Sequence, residues 1–305
     1  MAGGYRDRKR SQLRRDRQIL RPLLFMLPAL AVYIFVMAYP LGHSFIMSFH
    51  ESTGLGGEAP VWVGLANYKT LFVRDPIFWV AMRNNLLWTC YSLVIPVAIG
   101  LILAMFLNEE FKGRTILRGI FYYPSILSLI AVGLIWRWMY HPNLGFLNAL
   151  LKRIGLAALA VDWLGDRRTA LFATFIANAW QATGIVMVMF LSGLQTIPTE
   201  VYEAARVEGA GGWTTFCRIT LPLLRETYIV VVAITMVNAM KVFDVIFSMT
   251  WGGPGRATEV LATYLYFNAY KYFKLGVGTA VSWVLLLLIA LVVVPYVLYM
   301  SRKED

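Results

Sequence analysis

Six apolar runs, at about 22–48, 86–107, 119–140, 170–192, 224–248 and 276–300, dictate what this chain can become. Each is long enough to cross roughly 30 Å of hydrocarbon at about 1.5 Å per residue. A water-soluble fold could not hide so many long runs in a chain that is 59% hydrophobic and only 15% charged. Within a bilayer each backbone N–H and C=O needs a partner in its own segment, so such runs fold as helices. The expected fold class is all-α integral membrane, with six transmembrane helices. An even number of crossings returns the chain to its starting side.

Charge sets the orientation. Eight Lys/Arg residues crowd the first 21 positions, directly before the first run. With the segments 109–118, 193–225 and the tail, that side carries sixteen basic residues, against ten in the longer intervening loops. Basic residues stay on the cytoplasmic side, so both termini are expected there, with 1–21 as a basic anchor facing anionic headgroups. A net charge of +11 gathered in this way argues for a membrane surface and against a nucleic-acid partner. The expected division is 1–21 basic segment, 22–300 membrane domain and 301–305 cytoplasmic tail. The first run is longer than a signal-peptide core and lacks a small-x-small closure, so it is read as retained. Cys90 lies in an apolar run and Cys217 in a polar segment, so no disulfide is expected. The three histidines are scattered, which leaves no metal cluster. No Gly-x-x-x-x-Gly-Lys-Ser/Thr phosphate loop occurs, so any ATP is expected on another chain.

Between the fourth and fifth runs, about 196–222, lies a polar island with its own grammar. Pro198 suits the first position of a helix, and Glu200 and Glu203 suit its positive end. Ala204 and Ala205 favour helix, and Gly209 stops it. After Gly211-Gly212, Trp213, Phe216 and Ile219 are spaced to share one face of a second short helix, which Pro222 ends or bends. This describes helix, glycine turn, helix, outside the bilayer, with an apolar knob.

Glu203-Ala204-Ala205, Glu208-Gly209 and Ile219-x-Leu221-Pro222 together resemble the "EAA" loop of ABC-importer permeases. Glu208 stands where Asp is more usual, and Glu226 where a second proline is common. Three other stretches are similar to the carbohydrate, maltose-type branch: Val63-Gly64-Leu65-Ala66-Asn67-Tyr68, the Leu101-x-x-Ala104-x-x-Leu107-Asn108 close of the second run, and Thr250-x-Gly252-Gly253-Pro254. The likeness spans about residues 20–300 and implies a type I importer permease fold in a bacterial inner membrane. It also implies a second, homologous permease subunit, two ATPase subunits that bind ATP and Mg, and an extracytoplasmic substrate-binding protein. Glu203, Ala204, Ala205, Glu208, Gly209, Trp213, Phe216, Ile219, Leu221 and Pro222 would then be the coupling loop that docks on the ATPase. The chain itself would catalyse nothing.

Polar residues inside spans are costly and mark either a solute path or interhelical bonding. The fourth run offers Asn178, Trp180 and Gln181. The fifth offers Asn238, Lys241 and Asp244, expected along one side of a single helix, with Phe243 between; Lys241 and Asp244 are spaced to pair. Amides and aromatic faces suit a neutral sugar or polyol. If Arg137 or Lys241 is unpaired, an acidic solute such as a glycerol phosphate or uronate oligosaccharide fits instead. An ion-gradient transporter using Lys241 and Asp244 as a relay is the remaining reading. The aromatic residues Trp62, Tyr68, Phe72 and Trp79 read as an interfacial belt, and 141–168 as external irregular structure.

Overall fold

The computed structural model describes residues 25–56 and 59–301. The basic segment 1–21 and the tail 302–305 lie outside them. Four helices are unbroken and apolar enough to span: α1 (Phe25–Met47), α2 (Pro76–Asn108), α6 (Ala170–Leu194) and α12 (Leu275–Ser301). Two of the expected spans are broken. The third run is α3 (Arg114–Ile126) followed by α4 (Leu129–Met139), bent by 101°. The fifth is preceded by α8 (Gly212–Leu223), which meets α9 (Arg225–Met240) at 70°. Among the described residues the count is four unbroken spans, or up to six if each bent pair is one.

The breaks follow from local chemistry. Pro124 sits in the last turn of α3; Leu127 and Ser128 are extended, and the Ser128 hydroxyl caps α4 by accepting the Ala131 N–H at 3.3 Å. The expectation that 224–248 is one helix is corrected: α9 ends at Met240, and α10 (Asp244–Thr250) starts afresh after Lys241, Val242 and Phe243. Asp244 is favoured at that new N-terminus by the backbone dipole. The second run starts ten residues early, at Pro76, where the Asp75 carboxylate accepts the Ile77 N–H at 2.8 Å. Arg83, Asn84 and Asn85 lower the hydropathy there without interrupting the helix. The stretch 141–168 is not wholly irregular: α5 (Phe146–Arg153) is tied down by Asn148, which donates to the Pro142 and Val161 carbonyls and accepts from the Trp163 indole.

The core is built on α2 and α6, which pack along one another through Val97, Ala104, Val186, Met187 and Phe190. α3 closes on the outer side of α6 at Gly184, where a Cβ would lie 2.5 Å from the Phe121 carbonyl oxygen. One end of the bundle gathers the α2–α3 turn, the α6–α8 loop and the end of α12, which Arg225 ties through the Met300 carbonyl. The other end gathers the hairpin of β1 (His50–Glu51) and β2 (Val61–Trp62), the start of α12, and the turn after α10. Trp62 stacks on Phe49 at 5.7 Å in that hairpin, and the Trp79 indole donates to the Phe72 carbonyl. α11 (Leu261–Tyr266) returns from the turn into the bundle, where Tyr264 donates to Asp75 at 2.6 Å.

Candidate functional site

The polar island folds as its residues dictate. α7 (Thr199–Val207) begins one residue later than expected, with Pro198 as its cap instead of its first residue. Its far end is a Schellman closure: the Ala210 N–H reaches the Ala205 carbonyl at 2.9 Å and the Gly209 N–H reaches Arg206 at 3.0 Å. The closure needs a left-handed residue, and Gly209 supplies it at φ +77°. α8 then carries Trp213 and Phe216 in ring contact at 5.6 Å, with Trp213 76% exposed. A wider π turn at Phe216–Thr220, closed by the Leu221 N–H on the Phe216 carbonyl, leads into Pro222, and Pro222 with Leu224 makes the 70° corner into α9.

Of the loop's named residues, Ala205 is buried against the bundle, Phe216 and Ile219 are half-buried, and Glu203, Ala204, Glu208, Gly209, Trp213, Leu221 and Pro222 are exposed. Thr220 donates to the Tyr202 hydroxyl at 3.3 Å, joining α7 to α8. Leu224, only 1% exposed, anchors the corner in the core beside Phe190 and Val231. Between this helix pair and the end of α2 lies a cleft of about 550 Å³, lined by Glu109, Glu110, Tyr202, Glu203, Arg206 and Phe216. The pair is thus a largely solvent-facing projection at the base of α9.

At the other end of α9 the chain breaks among the path candidates. Asn238, Lys241 and Asp244 are exposed and Phe243 is half-buried, stacked on Phe247 at 4.9 Å. The expected Lys241–Asp244 pair is corrected: the helix that would have aligned them stops at Met240. The ion pairs among the described residues are Arg114–Glu110 and Arg256–Glu259. In α6, Gln181 donates to the Ser125 and Leu127 carbonyls, each at 3.3 Å, so it serves the break between α3 and α4. Trp180 meets Trp136 edge-on at 5.9 Å and remains 40% exposed. Ala177 and Ala179 of α6 share a buried cluster with Ala239, Val242 and Ile246, so the two segments that carry the path candidates flank one core.

Residues 97–302 match the family described as the binding-protein-dependent transport system inner membrane component. The chain belongs to this family. An ABC transporter permease of this kind resides in the inner membrane. The chain is 36% identical to the probable ABC transporter permease YurN of Bacillus subtilis, over 93% of this chain and 97% of that one. It is 35% identical to the trehalose/maltose transport permease MalF of Thermococcus litoralis, over 92% and 94% respectively. Among solved structures it superposes with TM-score 0.80 and 26% identity on a bacterial ABC transporter involved in import of the acidic polysaccharide alginate. That match covers 97% of this chain and 99% of the other.

Two features of this permease lie outside the expectations from its sequence. Asn84 and Asn85, 6% and 2% exposed, lie in α2 ahead of the expected start of the apolar run. Extending that run to its capping Asp75 would have flagged them as intramembrane amides. Glu259, fully buried in the turn after α10, receives Arg256 Nη1 at 2.9 Å. Burial pushes its carboxyl above the usual range, and the guanidinium only partly offsets this. The two are three residues apart, but they lie in a turn, where the helical spacing rule does not apply.

Proposed function

We propose that this permease translocates a sugar or related polyol delivered by an extracytoplasmic binding protein. It works with a second homologous permease subunit, and two ATPase subunits bind the ATP and Mg. The carrying observation is mechanical. An exposed helix pair, with Trp213 at its tip and Gly209 as its pivot, is joined through the buried Leu224 to α9, and α9 ends at the exposed polar break 241–244. Closure of the ATPase dimer on the pair would swing α9 and reshape that break. The names of relatives for trehalose/maltose and for sulfoquinovosyl glycerol support a carbohydrate cargo.

One observation favours an acidic carbohydrate as the second reading. Lys241 is exposed and joins neither of the ion pairs among the described residues. An unpaired cation on the path suits a uronate or sulfonate, and the alginate transporter that this chain resembles handles an acidic polysaccharide.

The test is ATP-driven uptake in vesicles holding the whole complex. Gly209→Val forces a β-branched residue to φ +77°, which breaks the Schellman closure without touching the core. Assembly should persist while uptake falls by about tenfold or more and ATPase activity no longer follows solute. Unchanged uptake would refute the coupling role. Collapsing the ion gradient with ATP maintained should leave uptake intact; a loss there would favour the gradient-driven reading.

A further inference from the structure

α9 stops at Met240 without a proline at the break, and a helix that stops leaves its last carbonyls without intrahelical donors. The donor for Met240 comes from α2. Asn85 Nδ2 donates to the Met240 carbonyl at 3.0 Å, and Asn85 Oδ1 accepts the Leu261 N–H at 3.2 Å. Its neighbour Asn84 donates to the Ala257 and Glu259 carbonyls at 2.9 and 2.8 Å. Two consecutive amides thus hold the end of α9, the turn after α10 and the first residue of α11. Asn85 is 2% exposed, and both ends of its amide are in use. An amide in an apolar span is costly unless so satisfied, and the carbonyl it serves belongs to the residue directly before Lys241.

We infer that Asn85 is a positioning residue for solute recognition. It holds the Met240 carbonyl and thereby fixes the bend at Lys241, Val242 and Phe243 that presents Lys241 and Asp244 to the path. This rests on the reading of Lys241 and Asp244 as path residues. Among the described residues α2 alone supplies this hold, so the bend stays registered to the α2–α6 core while the base of α9 is moved from the other end. Asn85→Leu removes both bonds. Asn85→Asp keeps the acceptor for Leu261. As a neutral acid it also donates to Met240, whereas as a carboxylate it turns an oxygen on the carbonyl.

The experiment uses the assembled complex in vesicles, with radiolabelled maltose, trehalose and a uronate trisaccharide as probes, and N-ethylmaleimide on a Lys241→Cys background lacking Cys90 and Cys217. Asn85→Leu should raise the KM of the transported probe about tenfold, as expected for a lost buried hydrogen bond, and leave basal ATPase unchanged. It should also alter the maleimide rate at position 241. Asn85→Asp should behave as wild type at acidic pH and drift towards the Leu variant as pH rises and the carboxyl ionises. The charged and titratable groups on the surrounding elements are Arg83 in α2, Lys241 at the end of α9, Asp244 in α10, Arg256 and Glu259 in the turn, and Tyr264 in α11; the wild-type profile corrects for them. A purely structural amide would give no such pH-dependent KM. If neither Asn85 variant changes KM or the maleimide rate, the inference is overturned. Should Asn85→Leu fail to assemble, the pH profile of Asn85→Asp decides. Lys241→Ala and Asp244→Ala separate the two levels. If they leave KM unchanged, the path reading falls and this inference with it; if they raise KM while the Asn85 variants do not, only the inference falls.

Discussion

Glu259 shows how one residue carries a condition on the whole fold. It has no solvent exposure, and its only ion-pair partner among the described residues, Arg256, is also bonded to the Tyr272 hydroxyl at 2.6 Å. Burial raises its carboxyl pKa more than the guanidinium lowers it. A carboxyl raised on folding binds its proton more tightly in the native state, so its contribution is complete at low pH. That contribution is lost as pH climbs from the ordinary carboxylate range through the raised value. Glu259→Gln removes this titration and keeps an oxygen for Arg256. The difference in unfolding temperature, wild type minus Glu259→Gln, should therefore shrink as pH rises across that window in thermal scans of the purified complex. A difference that is flat or grows with pH would contradict the burial argument. Gly209 makes the complementary case. Its role was legible, because a glycine one residue past a helix of Glu and Ala has few other uses. Glu259 was not legible, since nothing along the chain announces that a carboxylate will be folded inward.

At the scale of elements, the unbroken helices and the corner at Pro222 were legible, whereas the breaks inside the third and fifth runs were not. Hydropathy records how long a segment stays apolar and is blind to its direction, so 119–140 read as one crossing although the chain turns by 101° within it. Two local signals mark that turn, Pro124 and the Ser128 cap, and both are tolerated in straight spans as well. The amide of Gln181 completes the break by supplying the carbonyls of Ser125 and Leu127 that the turn leaves open. Sequence left Gln181 between solute contact and interhelical bonding, and the geometry favours bonding. Gln181→Leu should then cost about 1–3 kcal/mol of stability through the stranded carbonyls, measured by thermal unfolding in detergent. The KM for the transported sugar should stay unchanged. A raised KM with intact stability would return Gln181 to the solute path. Run 5 failed to read as broken for a related reason: Asn238, Lys241 and Asp244 keep helical spacing on paper. The amide that takes up the carbonyl left open where the helix stops, that of Asn85, lies 155 residues away.

Across the whole molecule, burial is distributed unevenly in a way that composition conceals. Half of the spanning window of α6 is buried within the chain, against none of that of α1. The contacts of α1 with the bundle gather at its last turns, where Phe45 meets Trp283 edge-on at 4.7 Å and Trp283 donates to the Ser44 hydroxyl. The π turn at Ile34–Ala38 ahead of Pro40 further separates its first half from those contacts. A helix held at one end gains little from lipid alone, because hydrocarbon offers no hydrophobic drive towards either a neighbour or its absence. Close packing against another protein surface would fix it, and the proposed second permease subunit would provide one. Removing residues 1–47 should therefore weaken association with that subunit by about tenfold or more, read from co-purification across a dilution series. The α2–α6 core should remain folded, since Val97, Ala104, Met187 and Phe190 make no use of α1. Undiminished association would leave α1 facing lipid along its length. The pairing would then have to rest on other exposed apolar faces, such as that of α12 around Leu287, Leu291 and Val294.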